Sequence, residues 1–414
     1  MRVYPVDYII DYAKANSPFY KNLYRDFPND MDFTDLPIVD QNTFWKAMED
    51  DKQNILTGKQ IEGRVFKSGG TTGHPKYSPY TTSEWETMCE GSAFYLADSS
   101  IRHGDIIANT FYAGNLYASY DYVTMMHYFC PQEFLLLNIG GHNPVNDIVD
   151  SIVSANANVL AGLPSVILKI VDYVYDNKID GFKIETICFA GESLQKEQRS
   201  LICKKLHKDI EFRSFGLAGN DYGIVGYFSD DCGINEHRIS DKFCIFELID
   251  PDTNEVITEE NRPGKICITS LYRLLMPLIR YPIGDMGMYS EPAGKPNRKF
   301  KLIGRNEEVA RISFVSIHIE EIKQILKKLN LGDSNFQVLL TKEDGLDRLT
   351  IKIASNANIT EQVVNELLCQ CPFLTDTLNK KMIQPVRIIW CTNNDLDYNK
   401  RTGKLRKLID LRFN

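Results

Sequence analysis

The residues best suited to chemistry form a short loop rich in glycine and hydroxyl groups, SGGTTGHPK, which runs from Ser68 to Lys76. Glycine allows the backbone to approach an anion closely and to adopt positive φ angles. Backbone amides and hydroxyl groups in such a loop can bind phosphate oxygens, and the ammonium group of Lys76 adds positive charge. The residues that we assign to phosphate binding are Ser68, Gly69, Gly70, Thr71, Thr72, Gly73 and Lys76.

Two common phosphate motifs do not account for this loop. A P-loop has Gly before its lysine and Ser or Thr after it, whereas Pro75 precedes Lys76 and Tyr77 follows it here. The dinucleotide-binding pattern GxGxxG is also absent. A Gly/Thr-rich hairpin turn would explain the glycines, but not three hydroxyl residues followed by Pro-Lys. The loop therefore predicts a phosphate site of another type.

Two other segments contain a glycine followed by an acid. Gly191 closes the apolar run ICFAG, which is typical of a short strand, and Glu192 follows it. Asp285 follows a glycine in RYPIGDMG. One carboxylate can accept hydrogen bonds from two neighbouring hydroxyl groups, so an acid suits the cis-diol of a ribose. Two alternatives stay open: a strand-to-helix turn with Ser193 as the N-cap, and a Pro-Ile-Gly-Asp surface turn.

Further polar residues lie in three strings along the chain. Asn220 and Asp221 follow Gly219 in LAGNDYGIVGY, and a carboxylate such as Asp221 is a hard oxygen ligand suited to Mg²⁺ beside phosphates. Arg305 lies in IGRNEEVAR and Lys404 in NKRTGKLRK. Because basic tails are usually solvated surface, the Lys404 string is informative only through its position in the chain.

The loop at 68–76 resembles the signature loop of the adenylate-forming superfamily, which includes acyl-CoA synthetases, firefly-type luciferases and peptide-synthetase adenylation domains. The resemblance implies a two-domain enzyme. A large N-terminal domain binds ATP and an acid, and a small C-terminal domain swings between two half-reactions. The other segments are similar to family motifs in the same order, and the resemblance extends over residues 60–410.

The resemblance implies a role for each segment before residue 230. Gly191 and Glu192 match the strand-end segment beside the adenine. Asn220 falls at the position of the hydroxyl that meets the α-phosphate, and Asp221 at the acid that holds Mg²⁺, directly after Gly219. Both residues depart from the family's Thr-Glu pair. A second alignment of the family motif, on the preceding Phe-Gly pair, would place a glycine at the acid position. It would predict an enzyme with severely impaired activity.

The resemblance also assigns the later segments. Asp285 corresponds to the aspartate that takes both ribose hydroxyls, and Arg305 to the arginine that reaches the nucleotide. Glu307 occupies the hinge position, where the family usually has Asp or Lys. Lys404 corresponds to the catalytic lysine of the C-terminal domain.

The segment between Cys232 and Asp285 looks like the phenylacetate-CoA ligase branch, which has a compact N-terminal domain and often acts on aryl acids. We place the acid pocket in the Tyr-rich stretch 109–122, although a Tyr-rich core strand would explain the same residues equally well. Asp121 is either a partner for a substrate amine or an exposed charge. The candidate pocket residues are Phe111, Tyr112, Gly114, Asn115 and Tyr117.

Cys232 and His237 have a spacing compatible with a zinc site. Two ligands do not complete a tetrahedral site, and Cys244 and Cys267 complete it only if the fold brings them there. A structural zinc therefore stays open at the level of sequence. The ten cysteines otherwise lack regular spacing and are expected to be reduced.

The elements that must position these residues follow a simple order. Between residues 61 and 230, short apolar runs alternate with helical stretches, which indicates an α/β fold with mainly parallel sheets. Residues 240–290 are β-branched and punctuated by turns, which predicts an antiparallel meander or a small β-barrel-like subdomain. The remainder is typical of a small, mobile α+β lid. We expect an N-terminal domain at 1–304 and a C-terminal domain at 305–414, which carries Lys404.

The first sixty residues are helical in pattern and precede the segments that carry chemistry. The stretch NTFWKAMED predicts a helix capped by Asn42 or Thr43. The first residues lack the uninterrupted apolar stretch of a signal peptide, and no run of about eighteen apolar residues follows. We expect a cytoplasmic protein.

Charge and composition point to a small-molecule substrate. A net charge of −8 over 414 residues gives no basic footprint for nucleic acid or an anionic membrane. With 43% hydrophobic residues the chain is globular rather than disordered.

Together, these features predict a ligase that uses ATP and Mg²⁺ to adenylate a carboxylic acid, with an aryl acid favoured, releases pyrophosphate and transfers the acyl group to the thiol of CoA. The phosphopantetheine of an acyl carrier protein is an alternative acceptor. A non-catalytic nucleotide-binding relative is a rival, because Asn220 and Asp221 depart from the family motif. The oligomeric state is open, with a homodimer among the candidates.

Overall fold

The computed structural model describes most of the chain, namely residues 1–28, 32–68, 76–191, 194, 196–251, 253–305, 309–313, 315–332, 334–397 and 405–412. The sequence-predicted site residues that lie outside these ranges are Gly69, Gly70, Thr71, Thr72, Gly73, Glu192, Glu307 and Lys404.

The described α-helices are α1 (Val6–Asn16), α2 (Pro18–Leu23), α3 (Gln41–Asp50), α4 (Thr82–Ser99), α5 (Ser119–Phe129), α6 (Val145–Ser154), α7 (Pro164–Asp176), α8 (Lys196–Leu206), α9 (Ile319–Lys328), α10 (Thr360–Gln370) and α11 (Pro372–Asn379). Short 3₁₀ helices span Phe33–Asp35, Lys52–Asn54 and Asn393–Asp395. In the part of the chain that is described, none of the helices is both long and apolar enough to cross a bilayer.

The described strands are β1 (Arg64–Ser68), β2 (Lys76–Tyr80), β3 (Ile106–Asn109), β4 (Leu135–Asn138), β5 (Val159–Gly162), β6 (Thr186–Phe189), β7 (Glu211–Ser214), β8 (Leu217–Gly219), β9 (Gly223–Tyr227), β10 (Glu236–Ile239), β11 (Cys244–Ile249), β12 (Val256–Ile257), β13 (Gly264–Ser270), β14 (Tyr281–Tyr289), β15 (Lys299–Arg305), β16 (Val309–Ile312), β17 (Val315–His318), β18 (Phe336–Glu343), β19 (Leu346–Ala354), β20 (Arg387–Cys391) and β21 (Leu408–Asp410).

The chain divides into two compact units. Unit 1 comprises Met1–Lys67 and Tyr77–Ile303, and unit 2 comprises Ser68–Lys76 and Gly304–Asn414.

A parallel sheet with the order β4-β3-β5-β6-β7 lies in unit 1. All of its neighbouring strands run parallel, and helices α5 to α8 alternate with its strands along the chain. All four residues of β5 are buried, as expected for a strand covered on both faces by helices. The predicted α/β class with a parallel sheet is confirmed.

A second, larger sheet of unit 1 has the order β12-β11-β13-β14-β15-β10-β9-β8. Strands β11 to β14 are antiparallel, as predicted, but they do not form a simple meander, because β13 pairs with β11 rather than with β12. The expectation of a barrel-like subdomain at 240–290 is corrected: these strands continue into β15 and β10 as one sheet, and no barrel closes among the described strands. The extra partners fall outside the segment from which the barrel was inferred.

The first sixty residues pack against this larger sheet. Side chains from α1, α2 and α3 share a buried core with strands β11, β13 and β14. Helix α3 begins at Gln41, and its N-cap is Asp40, which accepts a hydrogen bond from the Thr43 amide at 2.7 Å. The prediction of Asn42 or Thr43 as the cap was wrong by two or three residues, because Asp40 is itself a strong N-cap residue.

Unit 2 has an α+β arrangement around its own core. Its sheet has the order β20-β19-β18-β21, in which β18 and β19 form an antiparallel pair and β21 runs parallel to β18. Arg412, just after β21, is buried and forms ion pairs with Asp347 and Asp410. The last strand is thereby fastened to the start of β19.

Candidate active site

Three of the predicted segments leave the parallel sheet at the same edge. The pocket stretch follows β3, Gly191 follows β6, and the segment 215–221 follows β7. Because the carboxyl ends of parallel strands share one edge, the segments converge there, as ligand sites of open α/β sheets do. Contacts agree with this convergence: the rings of Phe111 and Phe215 lie 5.9 Å apart, and the Phe215 amide donates to the Phe189 carbonyl at 2.9 Å.

Asn220 and Asp221 form the tip of the β8–β9 hairpin, directly after Gly219. The tip is held by hydrogen bonds from two other parts of unit 1. The Tyr80 hydroxyl donates to the Asn220 carbonyl at 2.9 Å, and the Arg273 guanidinium donates to the Asp221 carbonyl. The guanidinium carbon of Arg273 also lies 3.7 Å from the centre of the Tyr80 ring. The backbone that carries both polar side chains is thus fixed.

The carboxylate of Asp221 has its own hydrogen-bond donor. The Tyr281 hydroxyl donates to Asp221 Oδ2 at 2.9 Å, and Trp45 Nε1 donates to that hydroxyl at 2.9 Å. Burial, and next the charge of Asp221, raise the pKa of Tyr281 well above its ordinary value, so the hydroxyl remains a donor. Sequence reasoning missed Tyr281 and Trp45, although Tyr281 stands within the motif that contains Asp285.

Lys67, directly before the predicted phosphate loop, links two predicted segments. Asn220 Nδ2 donates to its carbonyl at 3.1 Å. Its ammonium group donates to Asn115 Oδ1 at 3.0 Å, and its amide donates to the Leu116 carbonyl at 2.9 Å. The base of the loop is therefore tied both to the Asn-Asp tip and to the pocket stretch. Sequence reasoning did not identify Lys67, since it carries no motif of its own.

The five pocket candidates do not share one environment. Phe111 and Tyr112 are buried, and the rings of Tyr112 and half-buried Tyr117 lie 6.2 Å apart. Gly114 and Asn115 are exposed, and both have positive φ angles, of 74° and 46°. The structure therefore brings the rings of Tyr112 and Tyr117 close to each other, packs Phe111 against Phe215, and places the other two in an exposed left-handed turn.

Asp285 lies in β14, along which burial alternates, and it is on the buried side with Tyr281 and Ile283. The register between β13 and β14 shifts across this part of the strand. Gly284 has a φ of 84°, a left-handed conformation that glycine adopts without strain. Bulges of this kind often lie next to active sites, where they re-aim a side chain. Two predicted acids thus relate to one strand: Asp285 belongs to it, and Asp221 is bonded to its first residue.

Asp121 forms an ion pair with Arg64, with 2.7 Å between Oδ2 and Nε. The side chain is 37% exposed, so the expectation of an exposed charge is refined to a partly exposed, paired one.

The zinc hypothesis finds no support in the geometry. His237 is buried and bonds through Nε2 to the Ser214 hydroxyl at 3.0 Å. Cys244 directs its thiol to the carbonyls of Val225 and Ser240. Across the described ranges, which include all four proposed ligands, no group of three or more His, Cys, Asp or Glu is placed to hold a metal.

The remaining predicted residues mark the ends of strands. Ser68 ends β1, Lys76 opens β2 and is half-buried, and Arg305 ends β15. Strands β1 and β2 form a two-stranded sheet on either side of the loop.

Asp221 fits Mg²⁺ by the chemistry of its donors. Mg²⁺ is usually held by one or two carboxylates together with substrate phosphates and water. The Tyr281 bond occupies Oδ2, and Arg273 binds the backbone carbonyl rather than the carboxylate. Asp221 can therefore supply one carboxylate oxygen to an ion that shares its other ligands with a nucleotide.

Comparison with known proteins finds relatives that match most of the chain. No protein-family model matches the chain. The chain is 27% identical over 410 residues to indoleacetate–lysine synthetase of Pseudomonas savastanoi, a match that covers 96% of this chain and 94% of that protein. It is 22% identical over 375 residues to a phenylacetate-coenzyme A ligase of Thermus thermophilus, with 84% and 81% covered.

Among solved structures, 2-hydroxyisobutyryl-CoA ligase in complex with 2-HIB-AMP and CoA superposes with a TM-score of 0.70 at 15% identity, covering 98% of this chain and 88% of that one. At this level of identity, the superposition shows the fold. The predicted resemblance is confirmed. The chain is similar over most of its length to a phenylacetate-coenzyme A ligase and to indoleacetate–lysine synthetase, and it has the fold of 2-hydroxyisobutyryl-CoA ligase.

Proposed function

We propose that this protein uses ATP to convert a carboxylic acid into an acyl-adenylate and then transfers the acyl group to the thiol of CoA. The observation that carries the proposal is the position of Asp221. It lies on the hairpin that follows β7, where the carboxyl edge of the parallel sheet gathers the predicted nucleotide and acid segments. The names of the phenylacetate-coenzyme A ligases to which the chain is similar support the same reaction.

In the first half-reaction, the carboxylate of the acid attacks the α-phosphorus of ATP, and pyrophosphate leaves. The chain's task is to position the reactants and to offset charge, because phosphoryl transfer requires little covalent help from a protein. The loop 68–76 binds phosphates, Lys404 offsets charge on the attacking and bridging oxygens, and Asp285 binds the ribose hydroxyls. Asp221 would hold Mg²⁺, which would neutralise charge on the phosphates.

In the second half-reaction, the thiolate of CoA attacks the acyl carbonyl, AMP leaves, and the thioester forms. Residues 305–414 act as the lid, which turns about Glu307 to withdraw Lys404 and to admit the thiol. Residues 1–304 bind the nucleotide and the acid, with Arg305 as a nucleotide contact at the boundary.

The acid that we propose is an aryl-substituted one. Phe111, Tyr112 and Tyr117 offer flat apolar surfaces, and their rings are buried or half-buried beside the carboxyl edge. Aromatic rings pack well against one another in offset or edge-to-face arrangements. The two relatives named in the comparison are named for arylacetates, phenylacetate and indoleacetate.

An amine is a second candidate for the acceptor. Indoleacetate–lysine synthetase, by its name, joins its acid to lysine, and the chain matches that relative over nearly its whole length. Adenylation is common to both readings, and they differ only in the nucleophile that attacks the acyl-adenylate. A carrier-protein phosphopantetheine is a further thiol acceptor.

Trapping with hydroxylamine tests the adenylation step directly. The protein, ATP and Mg²⁺ are incubated with phenylacetate, indoleacetate, hexanoate or phenylalanine, and hydroxamate is measured. We expect hydroxamate from the arylacetates. CoA, a carrier protein and lysine are then added separately to the preformed adenylate, and we expect release of AMP with CoA. Release with lysine alone would replace the thioester proposal by the amide one.

Two variants sharpen this test. Asp221→Asn removes the charge that we assign to Mg²⁺, and the rate of hydroxamate formation should fall at least about 100-fold, the typical effect of losing one electrostatic contact to the transition state. Asp250→Asn is the matched control, because Asp250 forms an ion pair with Arg262 at 2.7 Å on the same unit. An absence of hydroxamate with every acid, while ATP still binds, would show a non-catalytic nucleotide-binding protein.

A further inference from the structure

We propose that Tyr281 is a positioning residue for Asp221 and that the N-terminal helix α3 holds Tyr281 in place through Trp45. The inference rests on the proposed function, since it concerns how Asp221 presents its carboxylate to Mg²⁺–ATP. If Trp45 supports Tyr281 in this way, then the first sixty residues contribute directly to the nucleotide site. The sequence pattern alone places them only before the segments that carry chemistry.

Tyr281 contacts Asp221 directly. The hydroxyl lies 2.9 Å from Asp221 Oδ2, and the tyrosine is fully buried. Hydrogen bonds to a charged group are the stronger ones, worth about 1.5–3 kcal/mol. A carboxylate with one oxygen fixed has lost its free rotation, so the direction of its second oxygen is set as well.

Helix α3 supports Tyr281. Trp45 Nε1 donates to the Tyr281 hydroxyl at 2.9 Å. Phe44 packs against the Tyr281 ring, with 5.6 Å between ring centres, and Gln41 donates from its side chain to the Pro282 carbonyl. Three residues of one helix thus contact two consecutive residues of β14.

The hydrogen bonds from Trp45 to Tyr281 and from Tyr281 to Asp221 run in one direction. The indole N–H can only donate, so the Tyr281 hydroxyl must accept from Trp45 and is left to donate its own proton. Its acceptor is the Asp221 carboxylate. The donor and acceptor roles are therefore determined by chemistry, and each bond polarises the next.

This arrangement suits an aspartate in particular. The side chain of Asp221 has a single methylene between its backbone and its carboxylate. A shorter side chain has fewer rotamers and reaches fewer positions, so a fixed orientation determines whether its oxygen meets the ion. We infer that Tyr281 supplies this orientation.

The test is the Mg²⁺ dependence of nucleotide binding. A non-hydrolysable ATP analogue is titrated into the full chain by calorimetry at a series of Mg²⁺ concentrations. For Tyr281→Phe, we expect the Mg²⁺ concentration at half-effect to rise about tenfold, which corresponds to the loss of one hydrogen bond to a charged group. For Trp45→Phe, which keeps Tyr281, we expect a rise of about threefold.

Matched controls separate positioning from folding. Trp85 is buried in the same unit, and its Nε1 has no hydrogen-bond partner among the described residues, so Trp85→Phe removes an indole without breaking such a bond. Tyr20→Phe removes a buried hydroxyl that bonds to Pro277 and Ile279. Both controls should keep the wild-type Mg²⁺ dependence, even where they lower the unfolding temperature.

Two results would overturn the inference. One is a Tyr281→Phe variant that folds and keeps the wild-type Mg²⁺ dependence. The other is an equal shift in Tyr281→Phe and Tyr20→Phe, which would reduce Tyr281 to a stabilising residue. Failure of the proposed function is distinguishable from both, because it would appear in the wild type as an absence of hydroxamate.

Discussion

At the scale of single residues, buried His237 contacts half-buried Ser214, which lies at the end of β7 just before the segment that leads to Asp221. Ser214 ends β7, and its hydroxyl accepts a hydrogen bond from the Gly216 amide at 3.0 Å while it contacts His237 Nε2 at the same distance. Burial lowers the pKa of His237 to about 4. The imidazole is therefore neutral near pH 7 and helps to fix the turn that leads to Asp221.

This buried imidazole predicts a pH dependence of stability. The unfolded chain takes up a proton near the ordinary His pKa of about 6.5, whereas the folded protein does so only near 4. Above pH 6.5 both states are neutral at this residue. As the pH falls from there towards 4, protonation favours the unfolded chain, and stability falls by up to about 3 kcal/mol. Urea unfolding at about pH 7 and about pH 5 measures the loss.

His237→Gln is the comparison for that measurement. The variant has no titrating group at this position, so its stability should change less over the same pH range. An identical change in wild type and variant would assign the pH dependence to other residues.

The sequence draws attention to the predicted acids but not to the residues that contact them. Asp221 and Asp285 lie in strings whose composition suggests their chemistry. Trp45 and Tyr281 are 236 positions apart, and their bond exists only because α3 packs on β14. No local pattern encodes such a partnership.

At the scale of elements, Gly223 and Gly284 are constrained to glycine by different physical factors. Gly223 begins β9 with a φ of 76°, and a Cβ there would lie 1.8 Å from the Tyr272 hydroxyl. Gly284 in β14 has a φ of 84°, but a Cβ there would meet nothing within 4 Å. Backbone conformation alone constrains Gly284, whereas conformation and space both constrain Gly223.

Alanine at each position should therefore have unequal effects. Gly284→Ala should lower the free energy of unfolding by about 1–2 kcal/mol, the cost of a left-handed conformation for an L-residue. Gly223→Ala should cost at least about 2 kcal/mol more, because Tyr272 must move within a packed core. Urea denaturation of both variants measures the difference, and equal losses would contradict the steric argument.

Element types were predictable where the hydrophobic pattern is decided locally. Short, fully apolar runs such as β5 that alternate with helices along the chain are sufficient to indicate a parallel sheet. The barrel expectation failed because sheet closure depends on distant partners: β14 continues to β15 and β10 instead of returning to β11. Strand order is a property of the whole unit.

At the scale of the whole molecule, unit 2 is stabilised by a buried arginine, Arg412, which forms ion pairs with two aspartates. Arg412 is 8% exposed and bonds to Asp410, while Asp347 also accepts from the Ser313 amide at 3.1 Å. Burial alone would raise the pKa of Asp347, but the charges of Arg412 and Lys342 outweigh it and lower this pKa. The cluster joins the start of β19, the last strand and the residue after β16.

Arg412→Met should therefore destabilise unit 2 strongly. Removing one partner of a buried ion pair leaves uncompensated charge and costs about 3–5 kcal/mol. Arg387→Met is the matched control, because Arg387 is 48% exposed in its pair with Glu343 and should cost less than about 1 kcal/mol. Hydrogen exchange at the amides of β18 and β19 reports this unit alone. Equal exchange rates in the two variants would refute the prediction.

The packing of α3 on β14 also has a consequence for how the protein is made. Phe44 and Trp45 leave the ribosome long before Tyr281. Tyr281 lies 236 positions after Trp45, and synthesis over that distance takes on the order of ten to fifty seconds at about 5–20 residues per second. During that interval, the aromatic side chains of the first helices have no strand to cover them. The nascent chain must therefore pass through a stage with exposed apolar surface, and the N-terminal helices are among the last parts of unit 1 to complete their core.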